Sequence, residues 1–204
     1  MFSAQEITDW QRTLVVRWHQ QEAAADGEGF LRLVSEQFRF NFLLWHEEDI
    51  ARSQDVSDAR IATVKRAIDK YNQQRNDYIE KLDDAITEEL EKRGVTPVDG
   101  ARQNTETAGS VIDRLSILAL RIYHLEEQRD RSDATPDHRE NVAKKLAIAL
   151  VQLEDLRRGL AELKEDLFSG NKRHKTYRQL KMYNDPTMNP YLYAARNRGS
   201  ETVY

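Results

Sequence analysis

Between Val142 and Leu167 an apolar residue recurs at strictly alternating intervals of four and three: Val142, Leu146, Ala149, Leu153, Leu156, Leu160, Leu163 and Leu167. A strand turns every second residue to one face, so this spacing fits a helix. Bounded by Thr135-Pro136 as N-cap and N1 and by Gly170 at its end, that helix is about 50 Å long, and whatever packs along it must be long as well. A stripe of two residues in seven is also the pattern of a coiled-coil seam. It can face other helices of the same chain or a second copy, so a homodimer through the 142–167 seam is one expectation.

The rest of the chain supplies the partners. Ser3 and Glu6 stand at capping-box spacing ahead of Ile7, Trp10, Leu14 and Trp18, which predicts a first helix ending before Gly27. Leu31, Val34, Phe38, Phe42 and Trp45 predict a second over 30–53. Ile61, Val64, Ile68, Ile79, Leu82, Ile86 and Leu90 predict a third from Ser57 or Asp58 to Gly94. After a linker at 95–104 containing Pro97 and Gly100, a fourth helix over 107–131 is apolar nearly all round at Leu115 to Leu120, which makes it the central one. Residues 171–183, with five Lys or Arg and no acid before Tyr183, predict a short basic helix, and a turn at Asn184-Asp185-Pro186 leads into a Tyr-rich tail. Gly159, inside the heptad helix, suggests a close approach. The fold class is therefore all-α: a bundle of about five long helices plus a short basic helix, one domain over 1–193 with a frayed tail at 194–204.

Several function classes are excluded or disfavoured. The chain has no cysteine, which removes thiolate metal sites and cysteine nucleophiles and suits a reducing compartment. The first residues lack a basic segment followed by an apolar one, and no stretch of 18 apolar residues exists, so a cytoplasmic protein without a membrane span is expected. A net charge of −4 argues against general nucleic-acid affinity, leaving the basic segment as a local exception. Nucleotide-binding glycine loops, a serine nucleophile elbow, the HExxH zinc pattern and the paired ExxH of di-iron bundles are all missing.

What remains is an unusual set of polar residues on faces that should pack. At 100° per residue His46 and Asp49 fall on the apolar stripe of the second helix. Lys65, Asn72, Arg75 and Asp83 fall inside the arc of the third, with Asp69 and Glu80 on its flank. Asp113 and His124 share one side of the fourth helix with Ile117 and Leu120. If the second and third helices pack antiparallel, their polar faces converge. A metal set of Asp49, Asp69, Glu80 and Asp83 then suits Mg²⁺ or Mn²⁺, Lys65, Asn72 and Arg75 meet phosphate oxygens, and His46 positions or deprotonates water. That is a site for hydrolysing a phosphate ester or pyrophosphate of a small phosphorylated molecule. The alternative is a non-enzymatic oligomeric adaptor or assembly protein whose interior polar residues form a buried network that fixes helix register.

The segments 44–52, 65–69 with 72–77, 113–124 and 181–186 resemble a bacterial family known only by a domain-of-unknown-function label, 4254 in the series. The resemblance covers roughly residues 3 to 193 and touches His46, Asp49, Lys65, Asp69, Asn72, Arg75, Asp113 and His124. A looser similarity is to all-α nucleoside triphosphate pyrophosphatases of the MazG type, whose ExxE and ExxD pairs hold Mg²⁺. Glu80-x-x-Asp83 matches the second pair, while His46-x-x-Asp49 stands where the first would be.

Overall fold

In the computed structural model, which describes residues 2–182 and 185–199 with side chains through Ala194, five long helices share one core. They are α1 (Ala4–Trp18), α2 (Gly29–Arg52), α3 (Asp58–Lys92), α4 (Ala108–Asp130) and α5 (Pro136–Phe168). Ser57, Thr107 and Thr135 each begin a helix by accepting a hydrogen bond from the backbone N–H three residues on, at Arg60, Ser110 and His138. Ser3 makes no such side-chain bond. Gly94, with φ +65°, ends α3, and the Val95 N–H returns to the Leu90 carbonyl at 3.0 Å, closing the helix end on itself.

Side-chain pairs give the helix directions. Phe2 stacks on Phe30 and Trp18 lies against Phe38 and Phe42, so α1 and α2 run parallel. Gln37 bonds Asp113 and Asn41 bonds Ser116, while Trp45 stacks on His124, so α2 and α4 are parallel too. The antiparallel elements are α3, whose Val64 and Ile68 meet Leu44, and α5, whose Leu146 and Ala149 meet Leu118 and Ile122. Ile7, Val34, Leu82, Ile86, Ile112, Leu115 and Leu160 are fully buried where all five helices meet.

The heptad stripe of α5 is used within the chain. Leu160, Leu163 and Leu167 join the main core, and Leu146, Ala149, Leu153 and Leu156 cover α4. A second copy could reach that seam only by displacing α4, so the expected homodimer through 142–167 loses its surface. Gly159 differs from expectation as well: a Cβ there would meet nothing within 4 Å.

The segment after Gly170 is the main departure. Lys172–Arg173 (β2) pairs in parallel with Arg102–Gln103 (β1), and the chain then continues without helix to Lys181 as a strap along α3. Thr176 and Arg178 bond Asp84, Arg178 also bonds Glu80, and Lys181 bonds Asp77. At about 3.3 Å per residue an extended chain spreads its cations along two turns of α3, a reach that a helix rising 1.5 Å per residue would halve. Tyr183 and Asn184 lie outside the described residues. A final helix, α6 (Pro190–Gly199), occupies ground expected to be frayed, and 200–204 lie outside the described residues.

Candidate functional site

Asp113 is the hub of the polar interior. Its side is turned to α2 because it shares a stripe with Ile117, Leu120 and His124, and only 5% of the residue is exposed. One carboxylate oxygen accepts from Gln37 Nε2 at 2.6 Å, Asn41 Nδ2 at 2.8 Å and Arg75 Nε at 2.6 Å, while the other accepts from a terminal Arg75 nitrogen. Asn41 also donates to Ser116, whose hydroxyl donates back to the Asp113 carbonyl. The hydrogen bond that Arg75 donates to Asp113 holds its guanidinium above the ordinary range against the opposing effect of burial. A buried carboxylate is stable only with such a full set of partners, and α2 and α3 supply it.

Beside this hub a cleft of about 450 Å³ opens between α2, α3 and α4. Three residues expected at the site, Asp49, Asn72 and Arg75, line it. Trp45 and Arg52 stand with them, and Leu44, Ile117 and Leu120 form its apolar part. The antiparallel packing of α2 on α3 thus brings part of the polar set together.

The other predicted residues do not join them, and of the four carboxylates assigned to metal only Asp49 lines the cleft. Lys65 and Asp69 pair with each other on the exposed face of α3. Asp49 is exposed and lies 3.6 Å from Arg52. Glu80 is bound by the strap, accepting from Arg178 at 3.2 Å and from the Gln179 N–H at 2.8 Å. Asp83 is buried under the start of α4, where it accepts from the Gly109 N–H at 2.8 Å, a helix-capping position. Burial pushes the Asp83 carboxyl above its ordinary value, opposed by the bonds from Thr107 and Gly109. The four carboxylates assigned to metal therefore sit at separate places with separate partners. Among the described residues no group of three or more histidine, aspartate or glutamate side chains stands ready-placed for a metal ion.

His46 turns from the cleft toward α1, into a cluster with His19 and His124. Burial, and then the two neighbouring imidazoles, push it below its ordinary value, against Asp49 and Glu127. Sequence reasoning missed His19, Gln37 and Asn41. The last two stand one turn apart on the flank of the Phe38 and Phe42 stripe, a signal that polar residues there need a buried partner. His19 gave no signal, since it follows the last turn of α1 and enters the cluster only through tertiary packing.

Comparison with curated proteins and with solved structures finds no match, so the looser similarity to MazG-type pyrophosphatases gains no support there. A family profile described as a protein of unknown function, DUF4254, matches residues 31–176, from the start of α2 through α5 to the strap. That span contains Asp113 with every residue that binds its carboxylate, as well as the whole cleft. The chain belongs to the DUF4254 family.

Proposed function

We propose that the protein binds a small phosphorylated molecule in the cleft between α2, α3 and α4. The observation that carries this is the posture of Arg75. Its Nε and one terminal nitrogen are clamped by the buried Asp113 carboxylate, yet its side chain keeps 26% exposure on the cleft wall. A guanidinium fixed along one edge offers its remaining N–H groups in a set direction, which lowers the ordering cost of meeting an anionic oxygen. Asn72 adds an amide donor to the same wall, and Trp45 with Leu44, Ile117 and Leu120 gives the ligand an apolar side to cover. The reading is one of binding. Metal-dependent hydrolysis would need Asp49, Asp69, Glu80 and Asp83 to converge, whereas only Asp49 lines the cleft and the other three are engaged elsewhere.

A thermal-shift screen against nucleoside phosphates, sugar phosphates and pyrophosphate tests it. A ligand at a hundred times its Kd adds about 2.7 kcal/mol, or about 5 to 10 °C in Tm for a chain of this size. Asn72→Asp, at a half-exposed position that tolerates the change, places a carboxylate against the anion and is expected to abolish the shift. Absence of any phosphate-dependent shift, or a shift that survives in Asn72→Asp, overturns the proposal.

A further inference from the structure

The outer face of α5 is apolar at its middle, where a surface helix is ordinarily polar. Val142, Leu146, Ala149 and Leu153 turn toward the bundle, and at 100° per residue Lys144, Ile148, Val151 and Asp155 form a stripe on the opposite side of the helix. Ile148 is 60% exposed and Val151 63%, more than any other large apolar side chain described outside the strap and the segment after it. Ala147 and Leu150 are exposed beside them and widen the patch toward α1, where Val16 is exposed as well. Contiguous aliphatic side chains left in water mark a surface that meets another molecule.

The charges around the patch select its partner. One turn before Ile148 stands Lys144, paired with Glu140 at 2.7 Å, and one turn after Val151 stands Asp155, paired with Arg158 at 2.9 Å. All four side chains are more than half exposed. The stripe carries opposite signs at matching places from its two ends, because a two-fold axis midway between Ala149 and Leu150 relates position 148 to 151 and 144 to 155. An antiparallel α5 from a second copy therefore lays Ile148 on the partner's Val151 and Lys144 against the partner's Asp155, each contact made twice. Glu140 falls near the partner's Arg158 by the same symmetry. A parallel pairing in register would set lysine on lysine and aspartate on aspartate, which repel. The acids at the two ends of the stripe, Asp137 and Glu162, lie roughly three and a half turns from the axis, where helices that cross at an angle have moved apart.

This face differs from the heptad seam on the other side of the same helix. The seam is covered by α4 and the main core, whereas a second copy can pack on the outer face without displacing any helix. Because both copies use the same patch, the contact closes as a dimer and does not propagate. The aliphatic centre supplies affinity, and the exposed charges at its rim supply direction and register.

We propose that the protein forms an antiparallel homodimer through the outer face of α5, centred on Ile148 and Val151, with Lys144 and Asp155 setting the register. The pairing is independent of ligand binding, since no α5 residue lines the cleft between α2, α3 and α4.

Sedimentation velocity of the full chain from about 1 to about 100 µM tests this. The sedimenting mass should rise from that of one chain toward that of two. Ile148→Glu, at an exposed position, should keep the helical circular-dichroism signal and hold the protein monomeric across the range. Lys144→Glu and Asp155→Lys each set like charges face to face and should weaken the dimer at least about 10-fold. Mixing those two variants in equal amounts should restore association as a heterodimer, because each then carries the charge that the other lacks. A loss of helix stability would give no such rescue. The proposal is overturned if the wild type stays monomeric to about 100 µM, if a dimer survives Ile148→Glu, or if the single charge variants pair as well as the wild type. A mixture of the two charge variants that stays monomeric overturns it as well.

Discussion

Asp83 shows how one residue type on a packing face can be read two ways from sequence. Its position inside the apolar arc of α3 made it a metal-ligand candidate, whereas its carboxylate caps α4 at Gly109. What a cap needs is an acceptor, and it has no need of a full charge. Burial raises the Asp83 pKa above the unfolded value of 3.8, so the native state holds the proton more tightly than the unfolded chain does. Stability attributable to Asp83 is therefore highest below pH 3.8, falls as pH rises through the folded pKa, and stays low above it. Asp83→Asn keeps the acceptor and removes the buried charge. In urea unfolding from pH 4 to 8 its stability relative to wild type should rise with pH and then level off. Asp83→Ala, which strands the Gly109 N–H, should lose about 1 to 3 kcal/mol across that range. A fall in relative stability of Asp83→Asn with rising pH would show that the cap depends on the charge.

At the scale of elements, five helix ranges and the central place of α4 were legible, because a 3.6-residue period survives any tertiary arrangement. The cleft was legible in part, since Asp49, Asn72 and Arg75 fell on stripes that do meet. The strap was not: 172–181 has helical composition, and it is the pairing with β1 and the acidic face of α3 that hold it extended. The two glycines inside long helices show the same division. Gly109 lies where α3 and α4 touch, and a Cβ there would stand 2.6 Å from the Ile79 carbonyl and 2.9 Å from Asp83. Gly159 borders the groove between α4 and α5 with open space around it. Alanine should therefore act in opposite directions: Gly109→Ala should cost about 1 to 3 kcal/mol by forcing the helices apart, and Gly159→Ala should gain about 0.5 to 1 kcal/mol by stiffening α5. Chemical denaturation of the two variants would measure both signs, and a destabilising Gly159→Ala would mean that the groove needs that position bare.

Across the whole molecule, cohesion is divided between two kinds of contact that respond to different conditions. The five-helix core is apolar and closed by residues with no exposure, such as Ile7, Leu82, Ile112 and Leu160. The strap crosses α3 on charge: Arg178 to Glu80 and Asp84, Lys181 to Asp77, with Lys172 on Asp166 behind it. The Arg178 side chain is 54% exposed, so its pairs contribute little and are screened as salt shortens the Debye length from about 8 Å at 0.15 M to about 3 Å at 1 M. Apolar burial is not weakened by salt in that way. Raising sodium chloride to 1 M should therefore free the strap before it loosens the bundle. Hydrogen exchange by mass spectrometry should show faster exchange at 174–182 with α1, α2 and α4 unchanged. Arg178→Glu should reproduce that pattern at 0.15 M salt while the main unfolding transition stays where it is in the wild type. If protection at 174–182 instead falls only with global unfolding, the strap is held by its backbone bonds, such as the Gln179 N–H to Glu80, and by the His174 ring on the Asp83 carbonyl, and its charges contribute little.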